Sequence, residues 1–85
     1  MPRKIREVAR LAGISVRTLH HYDEIGLVVP SERTAAGYRL YTDEDVLRLQ
    51  QVLVFRELGL SLPEIANALD EATHDNRAEL LRRHR

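Results

Sequence analysis

Residues 5–27 read IREVARLAGISVRTLHHYDEIGL, and the order of apolar and small residues in this stretch decides the fold. Ile5, Val8, Ala9 and Ala12 recur at i, i+3, i+4 and i+7, the apolar stripe of one helix face. Gly13 follows the last of them, where a glycine commonly ends a helix. Ser15 then reads as the N-cap of a second helix, on which Val16, Leu19 and Tyr22 can face inward. Gly26 stops that helix, and Leu27 can pack back on its last turn. The connection Gly13-Ile14-Ser15 has the length and the glycine of a helix-turn-helix.

Further along, Val28-Val29-Pro30 leads into the polar stretch Ser31–Thr34, and Ala35-Ala36-Gly37 makes a turn. Tyr38-Arg39-Leu40-Tyr41 alternates like a short strand, and its pairing with Glu32–Thr34 predicts a small hairpin. A third helix starts at Thr42, whose hydroxyl caps it while Asp43, Glu44 and Asp45 suit the positive end of the helix dipole. Its apolar positions are Val46, Leu49, Val52, Leu53, Phe55 and Leu58, and Gly59 stops it. Ser61-Leu62-Pro63-Glu64 opens a fourth helix with a capping box and a proline in its first turn. Ile65, Ala68 and Leu69 form the apolar face of that helix. Asp75 or Asn76 caps a fifth, of which only Leu80, Leu81 and the basic end Arg82–Arg85 are present. The order is that of a winged helix-turn-helix with an added helix pair.

The 85 residues allow one domain, and a chain of this size buries only roughly 60% of its unfolded surface. No cysteine is present, which removes disulfides, thiolate metal sites and a cysteine nucleophile. The longest apolar run, Val52-Leu53-Val54-Phe55, falls far short of the ~20 residues of a membrane span, and no apolar segment follows Met1-Pro2-Arg3-Lys4 as in a signal peptide.

The 13 basic and 13 acidic residues cancel to a net charge of +0, which on its face argues against nucleic acid. Their placement weakens that argument. Residues 1–22 hold Arg3, Lys4, Arg6, Arg10 and Arg17 against Glu7, a net +4. Residues 42–75 hold Arg48 and Arg56 against eight acids, a net −6. Such asymmetry fits a basic binding face backed by an acidic body, and on charge alone ordinary surface scatter fits it equally.

In a helix-turn-helix the second helix enters the major groove with its N-terminal residues toward base edges. Its outward positions here are Arg17, Thr18, His20, His21 and either Asp23 or Glu24. Arginine takes guanine through two hydrogen bonds, and threonine touches a base edge or a thymine methyl. His20 and His21 diverge by about 100° around the helix, so one faces a base where the other faces a phosphate. An isolated Arg17 would be a solvated surface arginine, but the Gly-turn helix pair and the nearby Arg6 and Arg10 favour a DNA contact. The hairpin carries Arg33, Tyr38, Arg39 and Tyr41, which suit phosphates or the minor groove. Tyr41 is expected to pack the hairpin on the helices, and Tyr38 is open to either role.

Ser15, His20, His21, Asp23 and Glu24 include the residue types of a catalytic triad. The adjacent histidines and the capping role of Ser15 argue against an enzyme. The four histidines, at 20, 21, 74 and 84, contain no i,i+4 pair, so no metal and no cofactor is expected. Asp43-Glu44-Asp45 lacks the spacing of a calcium loop.

Six segments together resemble the DNA-binding domain of MerR-family transcription regulators. They are Ile5–Ala9, Gly13–Asp23, Ile25–Leu27, Gly37–Tyr41, Asp45–Gln50 and Glu57–Leu62, in order and at the family's spacing. The likeness runs from about residue 4 to 73. The His20-His21 pair, where much of the family has Arg-Tyr, is similar to the Mta/TipA-like branch of multidrug activators. Lys4 stands where many members carry a Thr or Ser cap, so the first helix is expected to fray more.

The resemblance implies a mainly α fold: a winged helix-turn-helix with a β-hairpin wing and a second helix-pair wing, ending at the start of a coiled-coil helix. It divides the chain into a DNA-binding domain, 1–73, and the start of a dimerisation helix, 74–85. It places Arg17, Thr18, His20, His21 and Tyr22 on the recognition helix, after Ser15, and Arg33, Tyr38 and Arg39 on the first wing. Arg48 and Arg56 fall in the second wing, with an outward placement facing phosphates. It further implies a bacterial, cytoplasmic homodimer on a pseudo-palindromic promoter with an overlong spacer. An effector makes the dimer distort that spacer so that RNA polymerase engages both promoter elements. Roughly ten residues of the final helix are too few for a stable coiled coil, so this chain is expected to be a fragment, mostly monomeric and weaker on DNA than its parent. The alternative is a small excisionase-like DNA-bending or protein-interaction module with no effector. Arg39→Ala is expected to weaken binding to all sequences alike.

Overall fold

A computed structural model describes residues 1–70 of the chain. Its elements are α1 (Ile5–Ala12), α2 (Val16–Glu24), β1 (Glu32–Arg33), β2 (Arg39–Leu40) and α3 (Asp43–Glu57). A fourth helix, α4, covers residues 62–70. This is the mainly helical, winged helix-turn-helix order that the sequence predicts. The expected cap at Asp75 or Asn76 and the helix carrying Leu80 and Leu81 lie outside the described residues. The chain forms two compact units, Met1–Val54 and Phe55–Arg85.

The helix-turn-helix is set by its caps. At the end of α1, Gly13 takes φ 71°, and the Ile14 N–H turns back to the Ala9 carbonyl at 3.0 Å. Ser15 then caps α2, its Oγ accepting the Thr18 N–H at 3.0 Å. At the far end the Leu27 N–H donates to the Tyr22 carbonyl (2.8 Å) and the Gly26 N–H to that of Asp23 (3.0 Å), with Gly26 at φ 74°. This paired bonding satisfies two otherwise orphaned carbonyls and needs a left-handed residue between helix and return, which glycine adopts without strain. Leu27 is buried, as the hydrophobic partner of such a cap should be.

Lys4, the N-cap of α1, makes no side-chain capping bond. Its extended backbone, φ −76° and ψ 156°, is one that threonine adopts freely. Lys4→Thr is expected to stabilise the domain by about 1 kcal/mol, a rise of roughly 4–8 °C in melting temperature. Thermal unfolding followed by circular dichroism checks it, and an unchanged midpoint would show that water already caps α1 adequately.

The hairpin pairs Glu32 with Leu40 and Arg33 with Arg39. Its turn is closed by the Thr34 N–H on the Tyr38 carbonyl (2.8 Å) and the Gly37 N–H on the Thr34 carbonyl (2.9 Å). The sequence did not reveal that the chain ahead of α1 joins it. Arg3 and Tyr41 exchange both backbone hydrogen bonds at 2.8 Å, tying the start of α1 to the wing.

The core of the first unit is Val8, Ala9, Leu19, Tyr22, Leu27, Val28, Tyr41, Leu49 and Val52, all buried. In the second unit Ile65 and Leu69 are buried. Leu58, expected on the apolar stripe of α3, is instead 70% exposed. The helix ends at Glu57, and the chain reverses there, with the Gly59 N–H on the Arg56 carbonyl and the Leu60 N–H on that of Phe55. The reversal leaves Leu60, not Leu58, partly buried. Ser61 and Glu64 form the expected capping box of α4, at 3.0 and 3.3 Å.

Asp45 makes the tightest polar cluster. Its N–H donates to Thr42 Oγ1 (3.1 Å) while its Oδ2 accepts the Thr42 N–H (2.9 Å). It also accepts the N–H and the hydroxyl of Ser31, at 2.9 and 2.6 Å, which anchors the start of the wing to α3. Burial by itself pushes the Asp45 carboxyl up, but the Ser31 and Thr42 hydrogen bonds outweigh it and hold the carboxyl below its ordinary value of 3.8. A depressed folded-state value means that Asp45 contributes stability fully above the ordinary carboxylate range and loses it as pH falls through the lowered value. Asp45→Asn is therefore expected to melt below the wild type at neutral pH, with the gap closing in acid below about pH 4. Melting temperatures measured across that range check it, and a gap independent of pH would remove the charge from the explanation.

Candidate nucleic-acid interface

The exposed face of α2 carries Arg17, His20 and His21. Arg17 is fully in the first turn, one residue after Val16, on backbone that the Ser15 cap holds. The Ser15 and Thr18 hydroxyls bond each other at 2.9 Å, so both are already engaged at the helix start, and Thr18 is half-buried. Tyr22 is corrected: it lies on the recognition helix, but its side chain is 1% exposed and belongs to the core. The inward spacing with Leu19 accounts for this, since the two fall on one face of α2 and both are buried.

On the wing Arg33 is exposed and Tyr38 is 69% exposed, which resolves the open role of Tyr38 toward solvent. Tyr41 is buried as expected, and desolvation, with the charge of Asp23 adding to it, raises its hydroxyl above the ordinary 10.0. Arg39 has a partner that sequence reasoning did not supply. Its guanidinium meets both carboxylate oxygens of Asp23 on α2, at 2.5 and 3.1 Å.

The outward placement of Arg48 is also corrected. It is half-buried on α3, and its Nε donates to the Leu27 carbonyl at 2.6 Å. A carbonyl just past a helix end seeks a donor, and a guanidinium reaches it from the neighbouring helix. Arg56 is exposed in the last turn of α3, where a cation also suits the negative end of the helix dipole.

Between α2 and the wing runs a groove of about 490 Å³. The start of α1 gives it Lys4, Ile5 and Arg6; α2 gives His20 and Asp23; the wing gives Tyr38, Arg39 and Tyr41. His20 lines it and His21 does not, which is the divergence their adjacency predicts. Lys4 and Arg6 were not singled out as site residues. Their signal was the dense basic run Arg3, Lys4, Arg6 just where the chain meets the wing. No group of three or more histidines and acids suited to a metal occurs among the described residues, and none of their helices is long and apolar enough to cross a membrane.

An exposed helix after a glycine turn, a basic hairpin beside it and a cation-rimmed groove between them define a winged helix-turn-helix DNA-binding domain. The chain belongs to the MerR HTH family: residues 3–72 match the family described as "MerR HTH family regulatory protein". It is 56% identical over 84 residues to the HTH-type transcriptional activator TipA of Streptomyces coelicolor, covering 99% of this chain and 33% of that protein. The chain thus spans about a third of the length of the curated relatives it matches. Among solved structures it is similar to MtaN, the N-terminus of the Bacillus subtilis multidrug transporter activator. That likeness has a TM-score of 0.76 at 46% identity, covering 95% of this chain and 82% of that one. It is also similar to HiNmlR, a MerR family regulator lacking the sensor domain and bound to promoter DNA. Here the TM-score is 0.75 at 27% identity, covering 98% and 70%. These likenesses bear out the Mta/TipA-like branch, and the relatives are transcription regulators, not enzymes.

Proposed function

We propose that the domain binds a pseudo-palindromic promoter as one half of a homodimer in the bacterial cytoplasm. In this reading Arg17, with Thr18, His20 and His21 around it, enters the major groove from α2. Arg33 and Tyr38 reach the flanking backbone from the wing, and Arg56, in the second unit, makes a phosphate contact of its own. Lys4 and Arg6 follow the same strand along the groove. The observation that carries the reading is that His20 lines that groove beside Lys4 and Arg6, with exposed Arg17 three residues earlier on the same helix. A spacer distortion driven by an effector, and acting on RNA polymerase, is the reading for the full-length protein, in keeping with its relatives' names as activators. Those names favour a regulator over an effector-free bending module.

The test is selection of bound DNA from a random library by this chain joined to a dimerising helix. Recovery of an inverted repeat at fixed spacing supports the reading. Recovery of no preferred sequence overturns it.

A further inference from the structure

We infer that Asp23 is a positioning residue for DNA selectivity: it clamps Arg39 between recognition helix and wing and keeps that cation off phosphate. The inference rests on the DNA-binding reading above. Its first ground is geometry. A planar guanidinium that meets both oxygens of one carboxylate fixes the distance and the relative plane of the two side chains, which a single hydrogen bond does not. The two residues are 16 apart in sequence, one on α2 and one on β2, so the clamp fixes the angle between the element that reads bases and the element that follows the backbone.

The second ground is electrostatic. Arg39 stands directly across the hairpin from Arg33, and two like charges so placed repel. Asp23 neutralises one of them and leaves Arg33, which has no ion pair among the described residues, as the wing's phosphate cation.

The third ground is location. The Asp23 side chain is only 17% exposed against 45% for Arg39, and both line the groove that also holds Lys4, Arg6 and His20. A partly exposed ion pair contributes little to folding stability, so stability alone does not account for a carboxylate in a phosphate path. Released from Asp23, Arg39 would add one phosphate contact to every duplex alike. The clamp therefore lowers sequence-independent binding while leaving base readout intact, which raises the ratio of specific to non-specific affinity.

The test uses the full chain with a short random-sequence duplex, and with a duplex recovered by library selection, across a series of salt concentrations. Asp23→Asn is expected to bind the random duplex more tightly, with the slope of log affinity against log salt steeper by about 1. Its preference for the selected duplex falls several-fold. Arg39→Gln is expected to leave the slope unchanged. An unchanged slope in a folded Asp23→Asn overturns the clamp, as does a slope shallower by about 1 in Arg39→Gln, which would mean that Arg39 already holds a phosphate. Should circular dichroism show Asp23→Asn unfolded, the Arg39→Gln slope decides alone. A wild-type chain with no salt-dependent binding at all sinks the DNA-binding reading itself, an outcome distinct from failure of the clamp.

Discussion

Tyr22→Ala lowers the stability of the domain by about 3–5 kcal/mol, the range for removing a buried aromatic side chain. Tyr22 is 1% exposed and is among the largest fully buried side chains. Its carbonyl also accepts the Leu27 and Val28 N–H groups at 2.8 and 3.2 Å, so the residue that carries the ring is also part of the cap that ends α2. A void there lowers the packing of a core that also holds Leu19, Leu27 and Val28. Small domains have only about 5–15 kcal/mol in all, so the variant stands close to unfolding at room temperature. Thermal melting and urea titration read the loss. A loss below about 1 kcal/mol would mean that the site collapses without a void or that the ring is not buried, and would return Tyr22 to the DNA-facing set.

Tyr22 also marks where sequence reading divides. Helical spacing put it inward with Leu19, while family likeness put it among the residues of the recognition helix. Both statements hold of the backbone, and only burial decides the side chain. What was legible was local. The capping residues Ser15, Thr42 and Ser61 and the glycines 13, 26 and 59 act on partners within five residues, and a short window of sequence contains both ends of each interaction. What was not legible joins distant positions. Arg39 finds Asp23 across 16 residues, Arg48 finds the Leu27 carbonyl across 21, and Ser31 finds Asp45 across 14. No periodicity encodes these, because a long arginine selects its partner in space.

The charge pattern shows the same division. A sum of +0 said nothing of a DNA face, and the net +4 of residues 1–22 pointed to one without saying which cations share it. The exchange of hydrogen bonds between Arg3 and Tyr41 supplies the missing step, since it brings the start of α1 beside the wing and so sets Lys4 and Arg6 along one groove with His20. That same assembly commits Arg39 and Arg48 elsewhere. The cations left facing outward on α2 and the wing are Arg17 and Arg33, and they differ in what they can read.

Arg17→Ala weakens binding to the selected promoter duplex by about 1–3 kcal/mol, roughly 5- to 150-fold, and relaxes preference at one base position. Arg17 is exposed in the first turn of α2, the end that approaches base edges in a helix-turn-helix. The Ser15–Thr18 bonds hold that turn, so the side chain leaves rigid backbone and loses little backbone entropy on binding. Its five donors in a fixed fork match the two acceptors of a guanine in the major groove, and alanine offers none. Affinity for a random duplex changes by far less, because a base contact carries sequence information that a phosphate contact does not. Arg33→Ala sets the contrast, lowering affinity for both duplexes alike and shallowing the salt slope by about 1. Equilibrium binding of both variants to both duplexes separates the two roles. If Arg17→Ala leaves the ratio of selected to random affinity unchanged, Arg17 contacts backbone and the reading of bases moves to His20 and His21.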